Sequence, residues 1–174
     1  DTSIAKVFAD HIGRFRHVFR SADAASPDFA GVHEVFQVHR GLAYVAAHGE
    51  RLGKHRDLLD RNVIDNTTRG LKLTVTEIAQ GFIGQTQLYK RFNAFFDGYD
   101  AVICPAASVS PFPHEELFVD EINGEQQQTY TDWLSLAYAP TMALACSAAI
   151  PCGRDSKSMP FGLQVIGPKG SDAK

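Results

Sequence analysis

The sequence lacks an excess of charge of either sign. Its 174 residues include 17 Lys and Arg against 20 Asp and Glu, a formal net charge of −3, and the two signs are interspersed along the chain. A surface that binds a polyanion needs clustered basic residues. We therefore expect no direct contact with nucleic acid.

A long apolar segment is also lacking. The uncharged stretch between Asp132 and Arg154 is mostly Ala, Ser and Thr and contains Pro140 and Pro151. A membrane-spanning helix needs about 20 predominantly apolar residues, and proline inside it would break the helix. The stretch is predicted to form a buried helix followed by a buried strand, and no membrane association is expected.

Cysteine is scarce. Cys104, Cys146 and Cys152 are an odd number and lie in apolar runs, unlike the disulfide framework of a small secreted domain. A cysteine nucleophile would need a nearby base, which one of the seven histidines could supply. Burial as small apolar side chains is the favoured interpretation for Cys104 and Cys146.

The N-terminus shows no targeting signal. No basic segment leads into an apolar stretch, and Asp1 stands where an initiator methionine would be expected. With the cysteine pattern, this predicts a cytoplasmic protein. It also suggests that the chain is a piece of a longer product.

Motifs for metal and phosphate binding are absent from the sequence. His33 with His39, and His48 with His55, do not have the i, i+4 spacing that places two imidazoles on one helical turn. The sequence has no Cys-x-x-Cys pair, no glycine-rich phosphate loop and no Gly-x-Ser-x-Gly elbow. The residues alone therefore predict no metal site and no self-contained catalytic site.

Residues 1–98 carry helical patterns. Apolar residues recur at helical spacing from Ile4 to Phe19, and again from Val32 to a predicted end near Gly49. Residues 51–73 suggest one or two short surface helices.

A capping box predicts the start of a further, long helix. Thr74 followed by Glu77 can satisfy free amides of the first helical turn. Gly98 is placed to end that helix in a left-handed cap.

The second half of the chain carries strand patterns. Apolar runs at 101–104, 145–150 and 161–166 predict three buried strands, with a loop over 106–128 and a helix around 131–138. The turn at 153–160 would make the last two strands antiparallel neighbours. The chain is therefore predicted to be an α/β protein.

Three segments carry a resemblance to a known family. Residues 99–105, Tyr-Asp-Ala-Val-Ile-Cys-Pro, resemble the Tyr-Asp-Val-Leu-Leu-Thr-Pro strand of amidase-signature enzymes. Residues 148–153, Ala-Ala-Ile-Pro-Cys-Gly, are similar to the family's Ala-Ile-Ser-Val-Pro-Cys-Gly strand end. Residues 159–167, Met-Pro-Phe-Gly-Leu-Gln-Val-Ile-Gly, are similar to its Leu-Pro-Ile-Gly-Leu-Gln-Leu-Ile-Gly strand, and the order of the three agrees.

The resemblance implies a fold. Residues 1–174 would be the C-terminal part of a single amidase domain, mainly helical over 1–98 and strand-rich over 99–174. They would form part of an α/β/α sandwich around a mixed sheet. The family's final helix would then lie beyond Lys174.

The resemblance also implies a chemistry that this chain cannot perform alone. A nucleophilic serine, a bridging serine with a cis peptide and a neutral lysine would act through an acyl-enzyme, with no metal or organic cofactor. The glycine-serine-rich loop, the nucleophile segment and the lysine segment have no counterpart here. They would lie upstream of Asp1, so no catalytic residue is assigned and the chain alone is expected to be inactive.

The chain departs from the family where the Asn-x-x-Gly-x-Pro-Ala pattern would stand. The corresponding residues are Thr141, Leu144, Cys146 and Ser147. This departure weakens any transfer of substrate contacts from that segment.

Four residues are candidates for the substrate pocket. Trp133, Tyr138 and Thr141 precede the strand whose family counterpart faces the substrate cleft, and Gln164 is the most recognisable polar residue of its motif. The alternatives are core packing for the aromatic residues and pairing with backbone for the Gln164 amide.

Two functions remain open at this point. The intact protein would be an amidase that hydrolyses carboxylic amides or transfers the amide nitrogen. Its partners would be the N-terminal half of the same enzyme and a small-molecule amide, with a homo-oligomer possible. The alternative is a non-enzymatic interaction module descended from amidases. A fragment should leave apolar sheet edges uncovered, whereas an independent module should bury them.

Overall fold

The computed structural model describes residues 1–173, which contain both helices and strands and form two compact units. One unit comprises Asp1–Asp28 and Phe92–Lys174, and the other comprises Phe29–Arg91. We call them the sheet unit and the helical unit. The helices are α1 (Thr2–Phe15), α2 (Val32–Lys54), α3 (Arg61–Leu71), α4 (Val75–Phe95) and α5 (Ser135–Met142), and the strands are β1 (Val102–Pro105), β2 (Glu121–Ile122), β3 (Glu125–Gln126), β4 (Cys146–Arg154) and β5 (Pro160–Gly167).

In the helical unit, α2 and α3 pack against each other at a pair of glycines, Gly41 and Gly70. A Cβ atom added at Gly70 would overlap the carbonyl oxygen of Gly41, so the two backbones touch. Beside this crossing, Arg40 Nε on α2 donates to Asn66 Oδ1 on α3 over 3.1 Å. The absence of side chains at both glycines is therefore what allows the close approach.

The predicted end of α2 near Gly49 is wrong, because the helix continues to Lys54. Lys54 Nζ lies 2.6 Å from Glu50 Oε1, an i, i+4 ion pair that supports the added turn. A glycine in a helix interior weakens the helix by roughly 0.5–1 kcal/mol relative to alanine but does not by itself end it.

The capping box at the start of α4 is confirmed. The Thr74 N–H and hydroxyl both donate to Glu77 Oε2 over 2.7 Å, and the Glu77 N–H donates to Thr74 Oγ1 over 3.2 Å. The Thr74 N–H and then its hydroxyl lower the pKa of the Glu77 carboxyl. The carboxylate therefore keeps its capping role down to lower pH.

The left-handed cap predicted at Gly98 is wrong. Gly98 is not among the glycines with positive φ. Instead, the N–H groups of Phe96, Asp97 and Gly98 donate to carbonyls three residues earlier. These tighter turns pair carbonyls at the helix end without a left-handed residue.

The sheet unit contains a three-stranded antiparallel sheet of order β1-β5-β4. The predicted antiparallel pairing of β4 with β5 is confirmed, and β1 pairs with the other side of β5. An irregularity between Pro151 and Arg154 interrupts the β4–β5 register, and Gly153 within it has a φ of 83°. The backbone there adopts a conformation that glycine reaches without steric cost.

The core of the sheet unit lies between α1 and β5. Ile4 of α1 is buried against Phe161 and Leu163 of β5, and five partly buried residues pack around them. Full burial of one such side chain contributes about 1.5–3 kcal/mol. The surrounding residues are Val7, Phe8, Phe15, Ile103 and Cys152.

The three strands differ in how far they are buried, and the apolar runs do not predict this difference. β5 is the buried strand, whereas β1 is half-buried. The prediction of a buried strand at 145–150 is wrong, because Ser147–Ile150 are exposed and Ile150 exposes 49% of its surface. Among the described residues, β4 is an edge strand of this sheet, with β5 on one side only.

The segment predicted as a loop over 106–128 contains a short hairpin. β2 and β3 pair antiparallel around Asn123 and Gly124, which have φ values of 53° and 87°. Asn-Gly is the residue pair favoured by tight hairpin turns that need positive φ at both positions.

Among residues 1–173, no helix has the length and apolar character needed to cross a membrane.

Candidate substrate pocket

A pocket of about 340 Å³ opens in the sheet unit where the chain leaves β1. Ala106 N–H donates to the Gly162 carbonyl over 2.9 Å, which ties the start of the loop to β5. The loop then runs along the pocket, and aromatic and small side chains form most of the wall. The lining residues are Ile4, Ala106, Ala107, Val109, Ser110, Pro111, Phe112, Trp133, Pro160, Phe161 and Gly162.

Trp133 and Phe112 form the aromatic part of the wall. Their rings meet edge to face, with centroids 5.6 Å apart and planes at 87°. The Trp133 carbonyl accepts a hydrogen bond from the Ser108 hydroxyl, which fixes the backbone of the 3₁₀ turn Asp132–Leu134. The Trp133 side chain is thus held by both its ring and its backbone.

The indole N–H of Trp133 is a polar group without a protein partner. Its Nε1 is buried and makes no hydrogen bond within the described residues. A buried donor normally finds a partner, since leaving it unpaired costs about 1–3 kcal/mol. The indole can therefore offer a hydrogen bond to an acceptor on a bound molecule.

A carboxylate lies close to Ser110, one of the pocket residues. The Ser110 hydroxyl approaches the Asp155 side chain without the geometry of a full hydrogen bond, and it is the main cause of a lowered Asp155 pKa. Desolvation opposes this effect, and the N–H groups of Met159 and Lys157 add to it by donating to Oδ1 over 2.9 and 2.8 Å. Asp155 is therefore ionised at neutral pH.

Trp133 is the only one of the four predicted pocket residues that lines this pocket. Tyr138 is buried on α5 with 7% of its surface exposed. Thr141 is exposed, and its hydroxyl donates to the Ala137 carbonyl over 3.0 Å. Gln164 is buried, and its Nε2 donates to the Leu136 carbonyl over 3.0 Å. The Gln164 amide thus pairs with backbone, which was the alternative interpretation.

Sequence reasoning misses most of the pocket wall. The patterns predict only a loop at residues 106–112, and they place Phe161 only within a buried strand. The available signal was their place in the chain, since loops that leave the end of a buried strand commonly carry binding residues.

The cysteines and acidic residues give no metal site. Residues 1–173 contain no group of three or more His, Cys, Asp and Glu side chains arranged to hold a metal ion. Burial raises the pKa of the Cys104 thiol to about 11, against a smaller opposite effect of the Gln164 amide. Cys104 is therefore a protonated, weakly nucleophilic thiol.

Solved structures define the class of fold. A crystal structure of an amidase superposes with a TM-score of 0.84 at 21% identity, covering 98% of this chain and 39% of that protein. A bacterial aryl acylamidase of the amidase signature family gives 0.77 at 19% identity, covering 96% and 38%. The predicted fold class is confirmed, and this is the fold of the amidase signature enzymes over part of its length.

The sequence comparison identifies the family. The sequence model of the Amidase family matches residues 68–174, so this chain belongs to the amidase signature family. The family prediction is thereby confirmed.

Curated relatives are longer than this chain. One of them, from the glutamyl-tRNA(Gln) amidotransferase of Chlamydia pneumoniae, is 26% identical over 168 residues, which is 93% of this chain and 32% of the relative. The corresponding amidotransferase protein of Halothermothrix orenii is 29% identical over 90 residues, 52% of this chain and 17% of the relative. The chain therefore spans about a third or less of these relatives.

Proposed function

We propose that the intact protein is an amidase-type enzyme that hydrolyses a carboxylic amide or transfers its nitrogen through a Ser-cisSer-Lys acyl-enzyme. The observation that carries this proposal is the family match over residues 68–174. The serines and the lysine would come from an N-terminal half, because no segment of this chain resembles them. This chain would contribute part of the sheet and part of the substrate pocket.

The pocket supports an apolar acyl group as the ligand. Its volume of about 340 Å³ lies at the lower end of the 300–1,000 Å³ typical of small-molecule sites. Phe112, Trp133 and Phe161 give it aromatic walls. The unpaired Trp133 indole N–H would donate to a polar atom of the same substrate.

The exposed β4 strand supports an additional segment of sheet in the intact protein. Within the described part of the chain, β4 has a partner on one side only, and Ser147–Ile150 are exposed. An edge of this kind is a template for a further strand. The same feature argues against the interaction module, which should bury its apolar edges.

An activity assay on the intact protein tests the proposal. Ammonia release is followed with acetamide, benzamide and glutamine as substrates. The expected result is turnover of at least one amide and none by residues 1–174 alone. Absence of turnover with all three substrates, or turnover by residues 1–174 alone, would contradict the assignment.

A pair of variants in the intact protein tests the pocket. Trp133→Ala removes an aromatic wall and an N–H donor, so the ratio of kcat/KM for benzamide to that for acetamide should change by about tenfold or more, the effect of 1–3 kcal/mol in a pocket contact. Thr141→Ala is the matched control, because Thr141 is exposed and its hydroxyl donates to a carbonyl of its own helix. Equal ratios in both variants would remove Trp133 from the substrate pocket.

A further inference from the structure

A cysteine and a histidine from distant parts of the sequence meet in the sheet unit. Cys152 Sγ on β4 lies 3.6 Å from His11 Nδ1 on α1, and both side chains are partly buried. That separation allows a hydrogen bond between a thiol and an imidazole nitrogen. A nucleophile within reach of a base, with the base held in place by a third group, is the arrangement that activates cysteine.

Phe161 supplies that third group. Its ring stacks on the His11 imidazole, with centroids 5.3 Å apart and planes only 9° from parallel. Phe161 is itself buried in the core with Ile4 and Leu163. The imidazole therefore stands against a rigid surface that orients Nδ1 towards the sulfur.

The β4 irregularity places Gly153 against the same imidazole. A Cβ atom added at Gly153 would lie 3.4 Å from His11 Cε1, so the imidazole sits directly over this glycine. Gly153 also has a φ of 83°, which bends the strand immediately after Cys152. Cys152 itself is only partly buried, so a small reagent can reach the thiol.

We propose that Cys152 and His11 form a nucleophilic thiol site that takes small-molecule disulfides. Cys152 Sγ attacks one sulfur of the disulfide while His11 Nδ1 accepts the thiol proton. A new S–S bond joins Cys152 to that half of the ligand, and the ligand's own S–S bond breaks. The departing thiolate receives the proton from His11 and leaves as a thiol, so the disulfide is the only oxidant required.

The other two cysteines lack such a partner among the contacts of the described residues. Cys104 is half-buried, and its thiol contacts the Gln164 amide at 3.9 Å. Cys146 Sγ contacts the Ser171 hydroxyl at 2.7 Å and the Pro168 carbonyl at 3.2 Å, and neither group is a base at neutral pH. Both cysteines therefore serve as internal controls in the same molecule.

The test follows each cysteine separately in the 174-residue chain. The chain is treated with the aromatic disulfide DTNB, and with oxidised glutathione, and the modified fraction at each cysteine is measured by mass spectrometry of peptides over time. Cys152 should react first with both reagents. Faster reaction at Cys146 or Cys104 would overturn the proposal.

Two substitutions test whether His11 acts as a general base or only shields the Cys152 thiol. His11→Phe keeps an aromatic ring against Phe161 but removes Nδ1, and His11→Asn keeps a polar group without a basic nitrogen. In both, the rate at Cys152 should fall by about tenfold or more, as expected for loss of a general base, while the rate at Cys146 stays the same. An unchanged or increased rate at Cys152 in either folded variant would show that His11 only shields the thiol, and the proposal would fail. The outcome does not depend on amidase activity, so the two proposals stand or fall separately.

Discussion

At the scale of single residues, backbone strain is concentrated at Leu144. Its φ is 55°, in the left-handed region that bulky side chains rarely adopt, and it links α5 to β4. Among residues 1–173, the other non-glycine residues with a positive φ are Asn123 and Ser158, which are short polar residues suited to turns. Leu144 stands where the family pattern has glycine, so this departure from the pattern corresponds to a strained backbone position.

Leu144→Gly should therefore be more stable than Leu144→Ala. Both substitutions remove a side chain that is 45% exposed, but only glycine adopts the left-handed conformation without steric cost. That conformation costs other residues about 1–2 kcal/mol, and the greater freedom of unfolded glycine offsets part of the gain. Urea unfolding followed by circular dichroism should give the glycine variant a free energy of unfolding roughly 0.5–1 kcal/mol above that of the alanine variant, the left-handed penalty less the entropy effect. Equal stabilities would mean that the observed φ carries no strain.

At the scale of residues, the sequence predicts only part of the candidate site. Trp133 is a candidate because of its position before a strand, and it does line the pocket. Tyr138 and Thr141 are candidates on the same ground and do not line it, because position along the chain does not say which side of a short helix faces a cavity. The pairing of His11 with Cys152 joins residues far apart in sequence, and no local pattern signals it.

At the scale of elements, the crossing of α2 and α3 depends on two glycines. The Cβ position at Gly70 falls on the carbonyl of Gly41 and within 2.7 Å of Val45 Cγ2. A backbone atom cannot move aside as the end of a flexible side chain can. The spacing of these helices is therefore set by the absence of side chains at this point.

Gly70→Ala should destabilise the helical unit. Overpacking of a close contact typically costs about 1–3 kcal/mol, and here the clash is with backbone. Gly53→Ala is the matched control, since Gly53 lies in α2 with nothing within 4 Å of its Cβ position. The control should gain roughly 0.5–1 kcal/mol from the better helix propensity of alanine. Thermal unfolding followed by circular dichroism measures both, and a stable Gly70→Ala variant would show that the helices can separate freely.

Elements with a complete local signal are predicted correctly from the sequence. The Thr74–Glu77 capping box and the β4–β5 pairing depend on residues close together in the chain. The order of the sheet is not predicted, because β1 reaches β5 across a long stretch of chain. The burial of β4 is predicted wrongly, since an apolar run does not say what, if anything, covers it. The β2–β3 hairpin is missed although Asn123-Gly124 signals it.

At the scale of the whole molecule, the exposed β4 edge should drive self-association. Ile150 exposes 49% of its surface on a strand that is paired on one side within the described residues. Exposed apolar edge strands promote pairing between chains, and a charged residue on the edge suppresses it. Sedimentation velocity over a range of concentrations should show oligomers of the 174-residue chain. The Ile150→Lys substitution should lower the fraction of the chain in these oligomers.

Leu117→Lys is the control for added charge alone. Leu117 exposes 58% of its surface and lies outside the strands. Its substitution should leave the oligomer distribution of the wild-type chain unchanged. Equal effects of the two lysines, or a monomeric wild-type chain at all concentrations, would contradict a role for the β4 edge.

The central place of β5 constrains how the chain can fold during synthesis. β5 follows both of its neighbours in sequence, so β1 and β4 leave the ribosome before the strand that joins them. At roughly 5–20 residues per second, β1 waits for several seconds without its partner. The helical unit, by contrast, is complete at Arg91 and can form while the ribosome is still translating. A nascent chain stalled before Pro160 would thus carry a folded helical unit and two open strands, which are features that chaperones and proteases recognise.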